Sequence, residues 1–394
     1  MSVVMPAWVR AFGRPGARSF ALMFAIDSLA RSTLTTVIPL VALDALGNAR
    51  DSSILFFATT FAGVVLSWFI PVLVRRIRPR WVYTLGAGLM VIVPFFLARE
   101  TLAALALGMS LRVFASSCLL SGLNLYIMAY IKKQDFVRSE PLRIFFSAIC
   151  WTAGPGLGVV LYASVSPWAT YLLSSFAAAL LLVYFWRVRM EHGPANPPKS
   201  VGQNPLQSVR RFIAQPRLVL AWLLSFGREV FWITIYYYAP AYMVLNHRSD
   251  NATALLITAC TLPLFLSPVM GWLGRRFGIR NFLLACFLAA AAATLTIPFA
   301  FDHVLPVCGL MVLASFAAVG LDSVVGVPFL RSVRARERPE MTMVYGMYRD
   351  LAALLPFAFF SILLSVFDLR SVFAATGLFL VYCAWTSRWI PRSM

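Results

Sequence analysis

Residues 71–80 read PVLVRRIRPR, and residues 271–280 read GWLGRRFGIR. At a spacing of 200 positions, Leu73 matches Leu273, Arg75 matches Arg275, Arg76 matches Arg276 and Arg80 matches Arg280. Each decapeptide follows a long apolar run. Other matches keep nearly the same spacing. Pro39 pairs with Pro240 and Pro155 with Pro356, both at 201, and SGLNL (121–125) pairs with VGLDS (319–323) at 198. One such match is weak. Four, in order and at nearly one spacing, predict two related halves.

Composition says what surrounds those halves. Of 394 residues, 60% are hydrophobic and 12% are charged, roughly half the charged share of a soluble domain. Mean hydropathy is +0.80. A soluble fold of this length cannot hide so much apolar surface, so the solvent is lipid. A membrane span needs about 20 mostly apolar residues. Twelve are predicted, at 19–43, 52–74, 81–98, 102–130, 142–163, 167–187, 217–245, 252–274, 281–301, 303–330, 341–366 and 370–388. The fold class is therefore an all-α membrane protein. The polar, proline-rich stretch 188–216 divides it into an N-terminal six-helix bundle (1–187), a linker and a C-terminal bundle (217–394). Within the linker, NPLQSVRRFIAQPR fits a short interfacial helix or a plain tether.

The net charge of +19 does not point to nucleic acid, because the basic residues sit in short loops between apolar runs. Of the 34 lysines and arginines, 26 gather on one side of the predicted spans, with both termini. The other side holds only Arg50, Arg99, Arg248 and Arg370. Lysine and arginine mark cytoplasmic loops. The expectation is a multi-pass protein of the cytoplasmic membrane with both ends inside, and a monomer. The first residues lack the pattern of a cleaved signal peptide. The six cysteines lie within or at the ends of apolar runs and read as small packing residues. The three histidines are scattered over loops and span edges. No metal site and no cofactor are expected.

Taken together, these motifs resemble the major facilitator superfamily over nearly the whole chain. GWLGRRFGIR is similar to that family's loop signature at Gly271, Leu273, Arg276, Gly278 and Arg280. The first copy carries Pro71 and Arg78 at the two glycine places, and both copies carry arginine, Arg75 and Arg275, at the family's aspartate place. Arg112, in LRVFASSCL, resembles the arginine of the span-four signature. TAGPGLG (152–158) resembles the span-five core of ion-coupled exporters. Its Gly154, Gly156 and Gly158 are expected to let a neighbouring helix approach, and Pro155 to kink the span. The second-half counterpart, LLPFAFF, keeps only the proline. The resemblance implies twelve spans in two pseudo-symmetric halves, closest in pattern to the exporter groups. It also implies a gate near the paired loops, where Glu337 and Glu340 are possible partners for the arginines.

Away from the span ends, eight charged residues fall inside the predicted spans: Asp27, Arg31, Arg112, Arg228, Glu229, Asp322, Arg349 and Asp350. A charge at mid-bilayer costs about 2.5–3.5 kcal/mol on insertion scales. Pairing around a wet central cavity is the simplest reading, and plain structural ion pairs are the alternative. Asp27 and Arg31 stand one turn apart. Counted back from the paired prolines, Asp27 and Arg228 are equivalent, so a pair across the halves is one option. Glu229 is expected to point away from Arg228. Asp322 reads as a lone carboxylate, with Asn124 as its counterpart. Asp27, Asp322 and Glu229 are the proton-coupling candidates. Arg31, Arg112, Arg228, Trp232, Tyr236, Tyr237 and Asn124 are the cavity candidates. Arg349 and Asp350 read as gate residues.

The function expected is secondary active transport of a small organic solute, driven by a proton gradient and directed outwards by analogy with the exporter-like span five. Uptake or exchange of an organic anion is the alternative, with Arg31, Arg112 and Arg228 as anion ligands. There is no phosphate-binding loop. No convergent nucleophile and base appear, so an enzyme or a non-transporting receptor is a remote alternative.

Overall fold

The computed structural model describes residues 17–99, 101–130, 136–188, 205–334 and 337–391. The side chains of Arg75 and Glu340 lie outside that description, as does most of the predicted linker. Among the described residues the chain is all helix, without a strand. Eleven helices are long and apolar enough to cross a membrane. In chain order, spans 1 to 6 are Ser19–Leu46, Ala49–Val74, Arg76–Leu97, Leu102–Ile127, Phe146–Ser164 and Pro167–Arg187. Spans 7 to 11 are Pro216–Leu245, Asp250–Phe277, Ile279–Ala300, Val304–Ser332 and Val344–Leu363. They match the first eleven predicted spans, with ends moved by a few residues. The predicted twelfth is the helix Arg370–Ser387, which is not among the eleven. It opens on Arg370, ion-paired to Asp302 at 2.6 Å, and its last turn carries Trp385, Thr386 and Ser387. It is 18 residues long, with Arg370 at its start and polar residues at its end.

The chain forms two compact units, 1–45 with 58–199 and 46–57 with 200–394. The short segment 46–57 belongs with the second unit for visible reasons. Ser53 and Tyr238 share a hydroxyl hydrogen bond of 2.8 Å, and the Phe56 ring meets Tyr237 and Phe357 at 4.9 and 5.2 Å. Packing partners repeat between the units. In the first, span 1 packs on spans 5 and 6, and span 3 on spans 4 and 6. In the second, span 7 packs on span 11 and helix 370–387, and span 9 on span 10 and the same helix.

The 200-residue repeat also reaches the backbone. Gly278 has φ 83°, and Arg78, its first-half counterpart, has φ 66° and ψ 149°. Glycine takes such angles freely; a residue with a Cβ is strained there by about 1–3 kcal/mol. The Arg78→Gly variant, purified in neutral detergent, is therefore expected to unfold at a higher temperature than the parent. An unchanged or lower melting temperature would show that no strain is relieved.

Most interruptions of the spans coincide with proline in the first turn of the next helical piece, as at Pro71, Pro240, Pro263, Pro298, Pro328 and Pro356. Proline tolerates that position because its missing N–H has no partner there anyway. Pro155 differs: the helix Phe136–Ser164 runs through it uninterrupted.

That helix makes the closest seam of the first unit. Ser28 and Ser147 share a hydrogen bond of 3.0 Å, and the Ser32 hydroxyl donates to the Cys150 carbonyl at 2.9 Å. Beyond them, a Cβ added to Gly154 would overlap the Ser32 side chain, and one added to Gly158 would overlap the Thr33 carbonyl. Without side chains there, two backbones meet directly. Ser174 of span 6 adds a 2.7 Å hydrogen bond to the Ala30 carbonyl. Gly158→Ala forces a methyl against backbone and is expected to cost about 1–3 kcal/mol. Gly88→Ala, with nothing within 4 Å, is expected to gain up to about 1 kcal/mol from helix propensity. Thermal unfolding of the two variants side by side tests the seam, since a loose seam would let both behave like Gly88→Ala.

Candidate functional site

The first unit holds its intramembrane charges on spans 1 and 4. Asp27 and Arg31, one turn apart, form a salt bridge of 2.7 Å. Asp27 is 6% exposed, and its second oxygen, Oδ1, is buried without a hydrogen-bond partner. Arg112 reaches over from span 4. Its Nη2 donates to the Arg31 carbonyl at 2.9 Å and to the Thr35 hydroxyl at 3.2 Å. The Thr35 hydroxyl donates to the same carbonyl at 2.9 Å. Span 1 breaks at Thr36, the next residue, so Arg112 braces the last turn before the break. Asn124, also on span 4, is exposed.

The second unit gathers a larger network from spans 7, 10 and 11. Arg228 binds Asp322 through Nη1 at 2.7 Å and Glu229 through Nη2 at 2.6 Å. Nη2 also donates to the Tyr348 hydroxyl at 3.2 Å. The Trp232 indole N–H donates to the other Asp322 oxygen at 2.9 Å. Asp322 is thus clamped on both oxygens, which corrects the expectation of a lone carboxylate. Glu229 is also corrected. Neighbouring backbone positions point apart, but the long side chains of Arg228 and Glu229 fold back to meet. The ion pairs of Asp27 and of Arg228 are each made within one unit.

Aromatic rings surround the ions. Trp232 and Tyr236 stack at 5.6 Å, and both are buried. A π-helical turn at Thr234–Tyr238 then spreads the three tyrosines apart. A π turn carries an extra residue and rotates the helix beyond it. Tyr236 stays on the Trp232 side. Tyr237 packs instead on Phe56 and Phe357, and Tyr238 bonds Ser53. Tyr237 therefore stands in a different cluster from Arg228.

Tyr348 is the residue that sequence reading missed. It accepts from Arg228 on one side and from Arg349 Nε on the other, at 3.2 Å each. Arg349 therefore joins the same network rather than a separate gate, while Asp350 is exposed beside it. Tyr345 hydrogen-bonds Ser225 and stacks on Phe329 at 3.9 Å, fixing span 11 against spans 7 and 10. The only signal in the sequence was the i, i+3 spacing of the two tyrosines just ahead of Arg349.

The loop candidates of the second unit lie at the surface. Arg275 is exposed in the last turn before Gly278, and Gly271 is open but for the Arg275 side chain at 3.9 Å. The Arg75 side chain lies outside the described residues. Glu337 accepts a hydrogen bond from Gln215 at 3.4 Å, and no carboxylate pairs with Arg275 among the described residues. No group of metal-ligating residues occurs among the described residues.

Comparison with known proteins places this geometry in context. The sequence matches the family model of the Major Facilitator Superfamily over residues 20–260. No match is found among curated protein sequences. The structure is similar in fold to the nucleoside transporter NupG, with a TM-score of 0.69 at 12% identity, over 94% of this chain and 98% of that one. It is also similar to a POT family transporter solved with a thioalcohol-conjugated peptide, with a TM-score of 0.71 at 11% identity, over 93% and 95%. A bacterial metal transporter matches with a TM-score of 0.64 at 12% identity, over 94% and 97%.

Proposed function

The chain belongs to the major facilitator superfamily of membrane transporters, and on that premise we propose that it exports a small organic solute across the cytoplasmic membrane in exchange for protons. Alternating access of two six-helix halves, with helix 370–387 as the twelfth span and both termini inside, is the working cycle. The observation that carries this reading is the Arg228 network. Three separate spans bring two carboxylates, two arginines and the stacked Trp232–Tyr236 pair to one place inside the membrane-spanning region. Such groups are costly in lipid and are retained where a pathway needs them. A solute with hydrogen-bonding groups and a flat face suits this lining. Solute and proton compete for the network: solute bound there displaces the proton from a carboxylate, and protonation of that carboxylate releases the solute, so the two move in opposite directions. Asp27 serves the same role in the first unit, where its unpartnered Oδ1 is the oxygen that a proton reaches.

One observation favours a second reading. The first-unit cluster brings the guanidinium groups of Arg31 and Arg112 together from spans 1 and 4, and such planar forked donors suit an organic anion. Import or exchange of such an anion is the alternative. Reconstituted vesicles separate the readings. Efflux or counterflow of a labelled solute is expected to follow an imposed pH gradient. Solute-driven flux that ignores the gradient would reject proton coupling. A thermal-shift screen of candidate solutes at two pH values supplies the solute for that assay.

A further inference from the structure

A groove of about 710 Å³ opens at the basic end of span 3, lined by Arg76, Ile77, Arg78, Trp81, Thr84 and Leu85. Arg80 stands at its rim. Its guanidinium lies 4.3 Å from the Trp186 ring centre and 5.6 Å from that of Trp81, and the two indoles meet edge to face at 5.5 Å. Trp81 is 49% exposed and Trp186 39%. Arginines thus cluster where the span starts, and exposed indole and leucine surface continues along it. Among the described residues, no carboxylate pairs with Arg76, Arg78 or Arg80. Arg78 stands there in a backbone conformation that favours glycine.

We propose that this groove binds one anionic phospholipid, with its phosphate on Arg76 and Arg78 and an acyl chain along Leu85 and the two indoles. Guanidinium groups match phosphate oxygens in pairs. Basic pockets beside membrane helices hold anionic headgroups, and tryptophan favours the headgroup depth. A free phosphate ion satisfies the arginines but has no use for the exposed apolar wall, which is why a lipid is the occupant. Arg80, held between two indoles, positions the groove's rim.

The test uses the full chain, purified and delipidated in neutral detergent, with binding read by native mass spectrometry and by thermal shift. Phosphatidylglycerol is expected to bind at a single saturable site and to stabilise the protein. Phosphatidylcholine and inorganic phosphate are expected to do neither. Arg76→Gln is expected to weaken phosphatidylglycerol binding about fivefold, the value of one arginine near an anionic surface. Arg210→Gln with Arg211→Gln removes basic charge elsewhere and is expected to leave this binding unchanged. Arg78→Gly supplies a second reading that a misfolded variant cannot imitate. It should raise the lipid-free melting temperature and shrink the lipid-induced shift. Equal binding by Arg76→Gln and the Arg210/Arg211 control would overturn the proposal, as would a shift reproduced by inorganic phosphate alone. Neither readout depends on which solute is transported, so this site and the transport cycle stand or fall separately.

Discussion

Replacing Arg228 by methionine is expected to abolish transport and to lower stability by about 3–5 kcal/mol. The substitution roughly conserves volume, so packing is not what is lost. Arg228 is the cation that both Asp322 and Glu229 touch, at 2.7 and 2.6 Å. Without it, two carboxyl groups stand together inside the membrane. Breaking a buried pair by removing one partner leaves an uncompensated charge, whereas removing both is far milder. The double variant Arg228→Met with Asp322→Asn should therefore recover much of the lost stability and none of the flux. Thermal unfolding and vesicle flux of the single and double variants check this. Recovery of flux in the double variant would show that the network is only structural.

Asp27→Asn is expected to leave a folded protein whose solute movement no longer follows a pH gradient. Asparagine keeps the shape, and its amide oxygen still accepts from Arg31. That bond stays charge-assisted through Arg31, but the attraction between opposite charges is gone, so some stability is lost with the charge. What disappears altogether is a group at this position able to gain and lose a proton. Counterflow of solute without a gradient should persist, because it needs no proton. Measuring both fluxes in one vesicle preparation separates coupling from damage. If gradient-driven flux survives, Asp27 is no carrier.

The membrane spans were legible because hydropathy acts locally. Each span announces itself in about 20 residues, and the repeat needs only a count. Gly278 and Arg78 show how far that count reaches, since the backbone keeps one conformation through a change of residue. The choice of ionic partners was not legible. Asp322 meets Arg228 and Trp232 across 94 and 90 positions of chain, and the meeting depends on how the helices rotate against one another. Tyr348 stayed hidden because a tyrosine in an apolar helix reads as packing until its hydroxyl has named partners. The π turn at Thr234–Tyr238 was equally silent, because no local pattern requires one extra residue there. It moved Tyr237 away from the stripe that ordinary helical spacing drew.

The serine and glycine seam of the first unit has a mechanical consequence. Interlocking side chains can slip past one another by changing rotamer, but a carbonyl seated against a glycine backbone cannot. Spans 1 and 5 are therefore fastened along the stretch that carries Asp27 and Arg31. Any movement that carries those charges must carry span 5 as well. Two helices that read as separate elements behave as one lever, and the salt bridge rides on it as a fixed fitting.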